Sequence, residues 1–265
     1  MHIGTTRSPL RVKPRIIFSL TIEQVSAPFP PQDHTENGEA GFTRIDQALR
    51  IAPACAKICV IMFRGEFKKL SGDEAEAILG LINPKLDLSP FSSKTSSVMI
   101  CDLSFYPGWS FVEIAEHGAQ PPRLALAVCK GSDVTVMNWT NRPIYELNAK
   151  VPLHLTPQTV LDYAQFFFTY VRGRHARFLI CENVDDIEWK EEPPPAARKA
   201  MMKMLSPLEI TERGADGTYH MSACLMFGSS LFKAAIHIAP EGAVSMSHEE
   251  LLVEDMPVVD DTLGQ

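Results

Sequence analysis

Between residues 208 and 251 apolar and polar side chains alternate with period two, in four runs at 208–213, 218–227, 231–238 and 243–249. Such alternation predicts four antiparallel strands, each with one face buried. Asp216-Gly217, Gly228-Ser229 and Pro240-Glu241-Gly242 separate the runs as turns. Glycine first in a two-residue loop suits a type II′ turn, which places Phe227 opposite Ser230. The pairs that follow are Leu225/Phe232, Ala223/Ala234, Met221/Ile236 and Tyr219/Ile238, and all are apolar. A slip of one residue would set Met221 against His237 and mix the faces, so the register is strongly specified. A three-residue loop at Pro240-Glu241-Gly242, with Gly242 left-handed, sets Val244 beside Ile238 and Met246 beside Ile236. For the first hairpin, a loop of two or four residues around Asp216-Gly217 brings Leu208 and Ile210 to the same apolar side.

The reverse face is polar. In this register His220, His237 and Ser245 form a row, and Arg213 joins it beside His220 if the first loop has two residues. The next rows hold Ser222, Ala235 and Ser247, then Cys224, Lys233 and Glu249. A Lys233–Glu249 cross-strand pair contributes roughly 0.2–1 kcal/mol. Antiparallel sheets ordinarily show such a face to water. Arg213, His220, His237 and Ser245 are nevertheless the candidate ligand-binding set, since this mixture suits an anion or a metal, although a catalytic zinc wants a third protein ligand and Ser245 is a poor one.

Upstream, 15–25 and 57–63 have strand composition, 26–41 reads as a loop and 43–51 as a short helix. Ser71 and Glu74 form a capping-box signature for a helix at 72–82, stopped by Asn83-Pro84; 84–97 is a Ser/Pro-rich connection. Strands at 98–105 and 110–116 flank Tyr106-Pro107-Gly108-Trp109, a type II turn sequence, and strands at 124–129 and 134–139 flank Lys130-Gly131-Ser132-Asp133. Pro143 and Pro152 mark 141–155 as extended. Thr156-Pro157 opens a helix at 157–172 with an apolar stripe, and Gly173 is placed to end it. A strand at 177–182, then three prolines and a helix at 196–205, lead into the final strands.

The fold class is therefore α+β, with helix-backed antiparallel sheets and a C-terminal four-strand meander. Residues 1–150 and 151–250 share the order α-β-α-ββββ, which suggests duplication in element order rather than in sequence. Residues 251–265 form an acidic tail expected to fray in solvent.

Composition adds exclusions. With 265 residues, 45% hydrophobic, 22% charged and a net charge of −7, the chain is ordinary for a globular protein. The negative balance argues against nucleic acid as partner, and no apolar run reaches membrane-spanning length. The expected location is cytoplasmic. Six cysteines show neither a disulfide framework nor zinc spacing, so no metal and no cofactor is expected. Phosphate-loop, zinc-protease and nucleophile-elbow motifs are absent.

Arg172, Arg174, His175 and Arg177 cluster after the long helix and form a candidate anion-binding group, although cations also favour helix C-termini. Cys181 beside Glu182, with His175 upstream, has the ingredients of a thiol nucleophile, but its apolar strand setting favours an inert core thiol. Glu182, Asp185, Asp186 and Glu188 read as a solvated acidic loop. Trp109 and Trp139 read as packing residues. The expected role is binding or assembly, with a protein partner or a second copy, rather than catalysis. The alternative is a hydrolase-like small-molecule enzyme using the Arg213/His220/His237 row as anion holder and acid–base pair.

Overall fold

The computed structural model describes residue 63 and residues 65–120, 122–172 and 178–259. The segments predicted at 15–25, 26–41 and 43–51, and all but Phe63 of 57–63, lie outside them.

Two five-stranded antiparallel sheets and four helices make up the described fold. The first sheet is a meander of β1 (Lys68–Leu70), β2 (Ser97–Asp102), β3 (Ser110–Glu116), β4 (Arg123–Lys130) and β5 (Asp133–Met137), in that order. Gly108 at φ 78° and the Trp109 N–H bond to Tyr106 O at 2.9 Å make the expected type II turn between β2 and β3. Helix α1 (Gly72–Ile82) lays Ala75, Leu79 and Ile82 on the outer face of this sheet, against Val98, Val112, Ile114, Ala125 and Ala127. Ser71 occupies the N-cap position but makes no side-chain cap bond. Glu74 instead pairs with Lys68 at 3.0 Å, so the capping box does not form.

Residues 142–148 correct the extended reading of 141–155, because Arg142–Asn148 is a helix, α2. Pro143 sits in its first turn, where a missing N–H costs nothing, and Ile144 and Leu147 are buried one turn apart.

Helix α3 (Thr159–Tyr170) starts two residues later than the expected 157, with Gln158 at its N-cap position, and Thr156 bonds to its first residue. Thr156 Oγ1 accepts the Thr159 N–H at 3.2 Å, and Thr159 Oγ1 accepts the Thr156 N–H at 2.8 Å. Its C-cap is Val171, in extended conformation, and Gly173 lies outside the described residues. Val160, Tyr163, Ala164, Phe166, Phe167, Phe168 and Tyr170 are all buried, whereas Leu161, Asp162 and Gln165 on the remaining side are only partly so. So broad an apolar face must be enclosed, and α3 lies at the centre of a core shared by both sheets. Phe166 and Tyr170 meet Phe111 of the first sheet at ring distances of 5.2 and 4.5 Å.

The second sheet runs β10 (Val244–Val253), β9 (Ser230–Ile238), β8 (Tyr219–Phe227) and β6 (Phe178–Ile180), with β7 (Glu209–Arg213) also pairing β8. Phe227 stands opposite Ser230, and every apolar pair read from the turns is present. Val244 faces Ile238 and Met246 faces Ile236. Tyr219, Met221, Ala223, Leu225, Ala234, Ile236, Ile238, Val244 and Met246 join the shared core, with Leu208 buried and Ile210 packed beside it. Both sheets follow a strand, a helix and a meander. The second departs from the first in having two strands, β6 and β7, along one side of β8.

A polar network links the layers. Tyr106 OH donates to Asn148 Oδ1, Asn148 Nδ2 donates to Tyr163 OH at 2.9 Å, and Tyr163 OH donates to Gly242 O at 2.7 Å. The Val244 N–H reaches Tyr145 OH at 3.1 Å.

The acidic tail is not frayed through its described length. Strand β10 extends to Val253, and Met256 and Val258 are buried with Cys181, Val184, Ile187, Cys224, Met226 and Leu231. Val258 pairs with Trp189 across an antiparallel bridge. Helix α4 (Pro195–Met202) adds Met201 to the same cluster. Met256 and Val258 decide the outcome: they bury their side chains while Glu254 and Asp255 stay exposed, so apolar burial is gained with no charge desolvated.

Candidate functional site

The outer face of the second sheet is divided. At one end Cys224, Met226 and Leu231 lie under α4, the loop 181–187 and the tail. At the other end the polar rows are partly exposed: His220, His237 and Ser247 are half-buried, and Ser245 is exposed.

Three strands bring the polar groups together. His220 of β8 stands directly opposite His237 of β9, which stands opposite Ser245 of β10, as the turn register requires. The contacts, however, run to a different serine. His237 Nε2 lies 2.7 Å from Ser247 Oγ, one row along, and His237 Nδ1 lies 2.7 Å from His220 Nδ1. Diagonal neighbours across strands lie within reach of ring side chains, which is how Ser247, placed on this face by sequence but assigned to the next row, is the partner. The rings sit 4.8 Å apart at 77°.

Arg213 does not join the row. Glu212 pairs with His220, and Arg213 pairs with Tyr219, over whose ring its guanidinium sits at 4.9 Å. The cause is the first turn. Gly214 N–H bonds Thr218 O at 2.8 Å, so the loop holds three residues, Ala215-Asp216-Gly217, with Gly217 at φ 88°. Asp216 secures it by accepting the Thr218 N–H at 3.0 Å and the Thr218 hydroxyl at 2.9 Å. A bulge between Ile210 and Glu212 then restores the parity that puts Ile210 and Leu208 on the core side. The same turn brings Asp216 toward His220: Asp216 Oδ1 and His220 Nε2 lie 2.5 and 3.4 Å from where a Cβ on Gly214 would stand.

A second bulge follows Ser247. The register shifts between Ser247 and Glu250, so Lys233 faces Glu250 rather than Glu249, and His248 takes φ 55°. A left-handed non-glycine residue beside a polar cluster is a local strain that recurs at functional sites. Burial, then the neighbouring His220 and His248, pulls the His237 pKa below the ordinary imidazole value. Thr218's backbone and hydroxyl bonds hold Asp216 below the usual carboxylate range. His237 is therefore neutral at neutral pH, with one ring nitrogen able to accept a proton.

The second candidate group is less coherent. Arg172 stacks over Trp139 at 4.2 Å and its N–H bonds Trp139 O at 2.8 Å, tying the end of α3 to β5. Arg174, His175 and Arg177 lie outside the described residues. Cys181 is 1% exposed, and its thiol points to Leu179 O in the small core. The acidic loop does structural work: Asp186 Oδ2 accepts the N–H groups of Glu182 and Asn183 at 2.8 Å each, Glu182 accepts the Leu208 N–H at 2.8 Å, and Asp185 pairs with Arg198. Trp109 is buried in the shared core, and Trp139 packs against it.

Among the described residues no group of three or more His, Cys, Asp or Glu is placed to hold a metal ion, and no helix is long and apolar enough to cross a membrane. Comparison of this chain with protein-family models, curated proteins and solved structures finds no match.

Proposed function

We propose that this protein acts by binding a partner, another protein or a second copy of itself, through the polar end of the outer face of its second sheet. The observation that supports this reading is the division of that face. Its apolar end is sealed by α4 and the tail, whereas the His220, His237, Ser245 and Ser247 end is left partly open with hydrogen-bonding groups arrayed on three strands. Polar side chains held in place by neighbours present a surface that costs little ordering on association. Lys233, exposed on the same face, supplies a handle for testing it. Amine-reactive crosslinks to a bound partner should fall on Lys233 and disappear in His237→Ala. Crosslinks confined to Lys69, Lys85 and Lys94 of the first half would place recognition elsewhere.

A second reading, a hydrolase-like enzyme, is favoured by one observation, the in-line contacts of Ser247, His237 and His220 at 2.7 Å each.

A further inference from the structure

We propose that Ser247 is a nucleophile toward small activated acyl esters, with His237 as its general base and His220 as a positioning residue. The inference goes beyond recognition and rests on how protons must be arranged along the chain of contacts.

Each neutral imidazole carries one N–H and one acceptor nitrogen. For Ser247 to donate its hydroxyl proton to His237 Nε2, across 2.7 Å, His237 must carry its own proton on Nδ1. That proton is donated to His220 Nδ1, again across 2.7 Å, which leaves the His220 proton on Nε2. Nε2 is the nitrogen on the Asp216 side, across the Gly214 position. An ionised Asp216 favours a donor there, and so favours this direction of the whole chain over its reverse. Nucleophile, base and orienting group are thus in the relation that acyl transfer uses. His237 is also neutral at working pH, since burial and its two histidine neighbours disfavour its charged form.

The neighbours of Ser247 are small: Ala235, opposite it across the strands, carries only a methyl, with Ser222 beyond. His248, at φ 55°, bends β10 immediately after the serine. The groups that face His237 are His220 on β8, and Ser245, Ser247 and His248 on β10, with Glu212 of β7 opposite His220 and Asp216 behind it.

The chemistry balances without a cofactor. Ser247 Oγ attacks the ester carbonyl carbon as its proton passes to His237 Nε2. A carbon–oxygen bond to serine forms, the bond to the leaving alcohol breaks, and the alcohol departs as its alkoxide or, with the His237 proton, as the neutral alcohol. Where the alcohol has left as its alkoxide, His237 first gives its proton to solvent. Water then attacks the acyl carbonyl carbon as its proton passes to His237, the carbon–oxygen bond to Ser247 breaks, and His237 returns that proton to Oγ, releasing the carboxylic acid and restoring the serine.

The test uses the full chain with p-nitrophenyl acetate, reading phenolate release together with intact-mass and peptide mapping. One acetyl group on Ser247 is expected. The acylation rate should rise with pH through a midpoint below the ordinary imidazole value. Ser247→Ala should abolish the modification, and His237→Gln should slow acylation by about a hundredfold. His220→Asn should shift the midpoint while leaving Ser247 as the modified residue, an effect that loss of packing alone would not produce. Ser132→Ala, in the turn between β4 and β5, should acylate like wild type. Thermal unfolding of each variant checks that it is folded. Acetyl groups on lysines or other hydroxyls with Ser247 unmodified, or an unchanged rate in folded His237→Gln, would overturn the proposal. Either result leaves the Lys233 crosslinks as they were, so recognition by this face stands or falls separately.

Discussion

Glu113 sits on the inner face of β3, in a row with Leu126 and Met137, at 3% exposure and with Oε2 unbonded. Desolvation raises its pKa from 4.5 to about 7. Between those values the folded chain holds a proton that the unfolded chain has released, so stability falls as pH rises through this window. Glu113→Gln removes the ionisation and should be more stable than wild type at pH 8 by about 2–3 kcal/mol, with little difference at pH 4. Urea unfolding at the two pH values measures it. His237 acts with opposite sign. Its folded pKa is lowered, so acidification below the ordinary imidazole value protonates the unfolded chain first and costs stability. Sequence alone exposed the histidines, because a turn register places side chains on faces. It did not expose Glu113 as a buried acid, since an acid within an apolar strand gives no sign of which neighbours enclose it.

At the scale of elements, legibility followed turn chemistry. Gly228, at φ 57°, and Gly242, at φ 83°, lock the last two hairpins, and both were readable because only glycine takes these conformations cheaply. Gly242 is doubly constrained: a Cβ there would strike Asn148 Nδ2, Leu153 Cδ2 at 2.7 Å and Tyr163 OH at 2.8 Å. Gly242→Ala should therefore cost roughly 2–4 kcal/mol, combining left-handed strain with overpacking, and a lowered denaturation midpoint would show it. Where turns were ambiguous the reading slipped. Asp216-Gly217 admitted two loop lengths, and the actual third length moved Arg213 away from His220. The bulge after Ser247 left no residue signal, so the Lys233 partner was one position off. Helix α2 was missed because Pro143 reads equally as a strand breaker and as a first-turn residue. Ser247 is legible in the sequence through the diagonal rows, since the same register places it next to His237 on the polar face.

For the molecule as a whole, α3 makes the two sheets one body by filling the space between their inner faces, and the Tyr106–Asn148–Tyr163–Gly242 bonds fix how the layers meet. The boundary read near residue 150 falls between the sheets, and the buried cluster around α3 draws residues from both sides of it. The outer layers differ in construction. Among the described residues, helix α1 with Leu86 and Phe91 backs the first sheet, while the second is backed by α4 together with Val184, Ile187, Met256 and Val258. Cys181 and Cys224 lie beneath that backing, at 1% and 0% exposure. Residues 255–259 thus work as a stopper over two sulfhydryls. A chain cut after Glu254 should lose it, and peptide-resolved maleimide labelling should find Cys181 and Cys224 modified far faster than in the intact chain, with Cys101 and Cys129 unchanged. An oxidant that spares the whole protein would then attack the shortened one at its second sheet first.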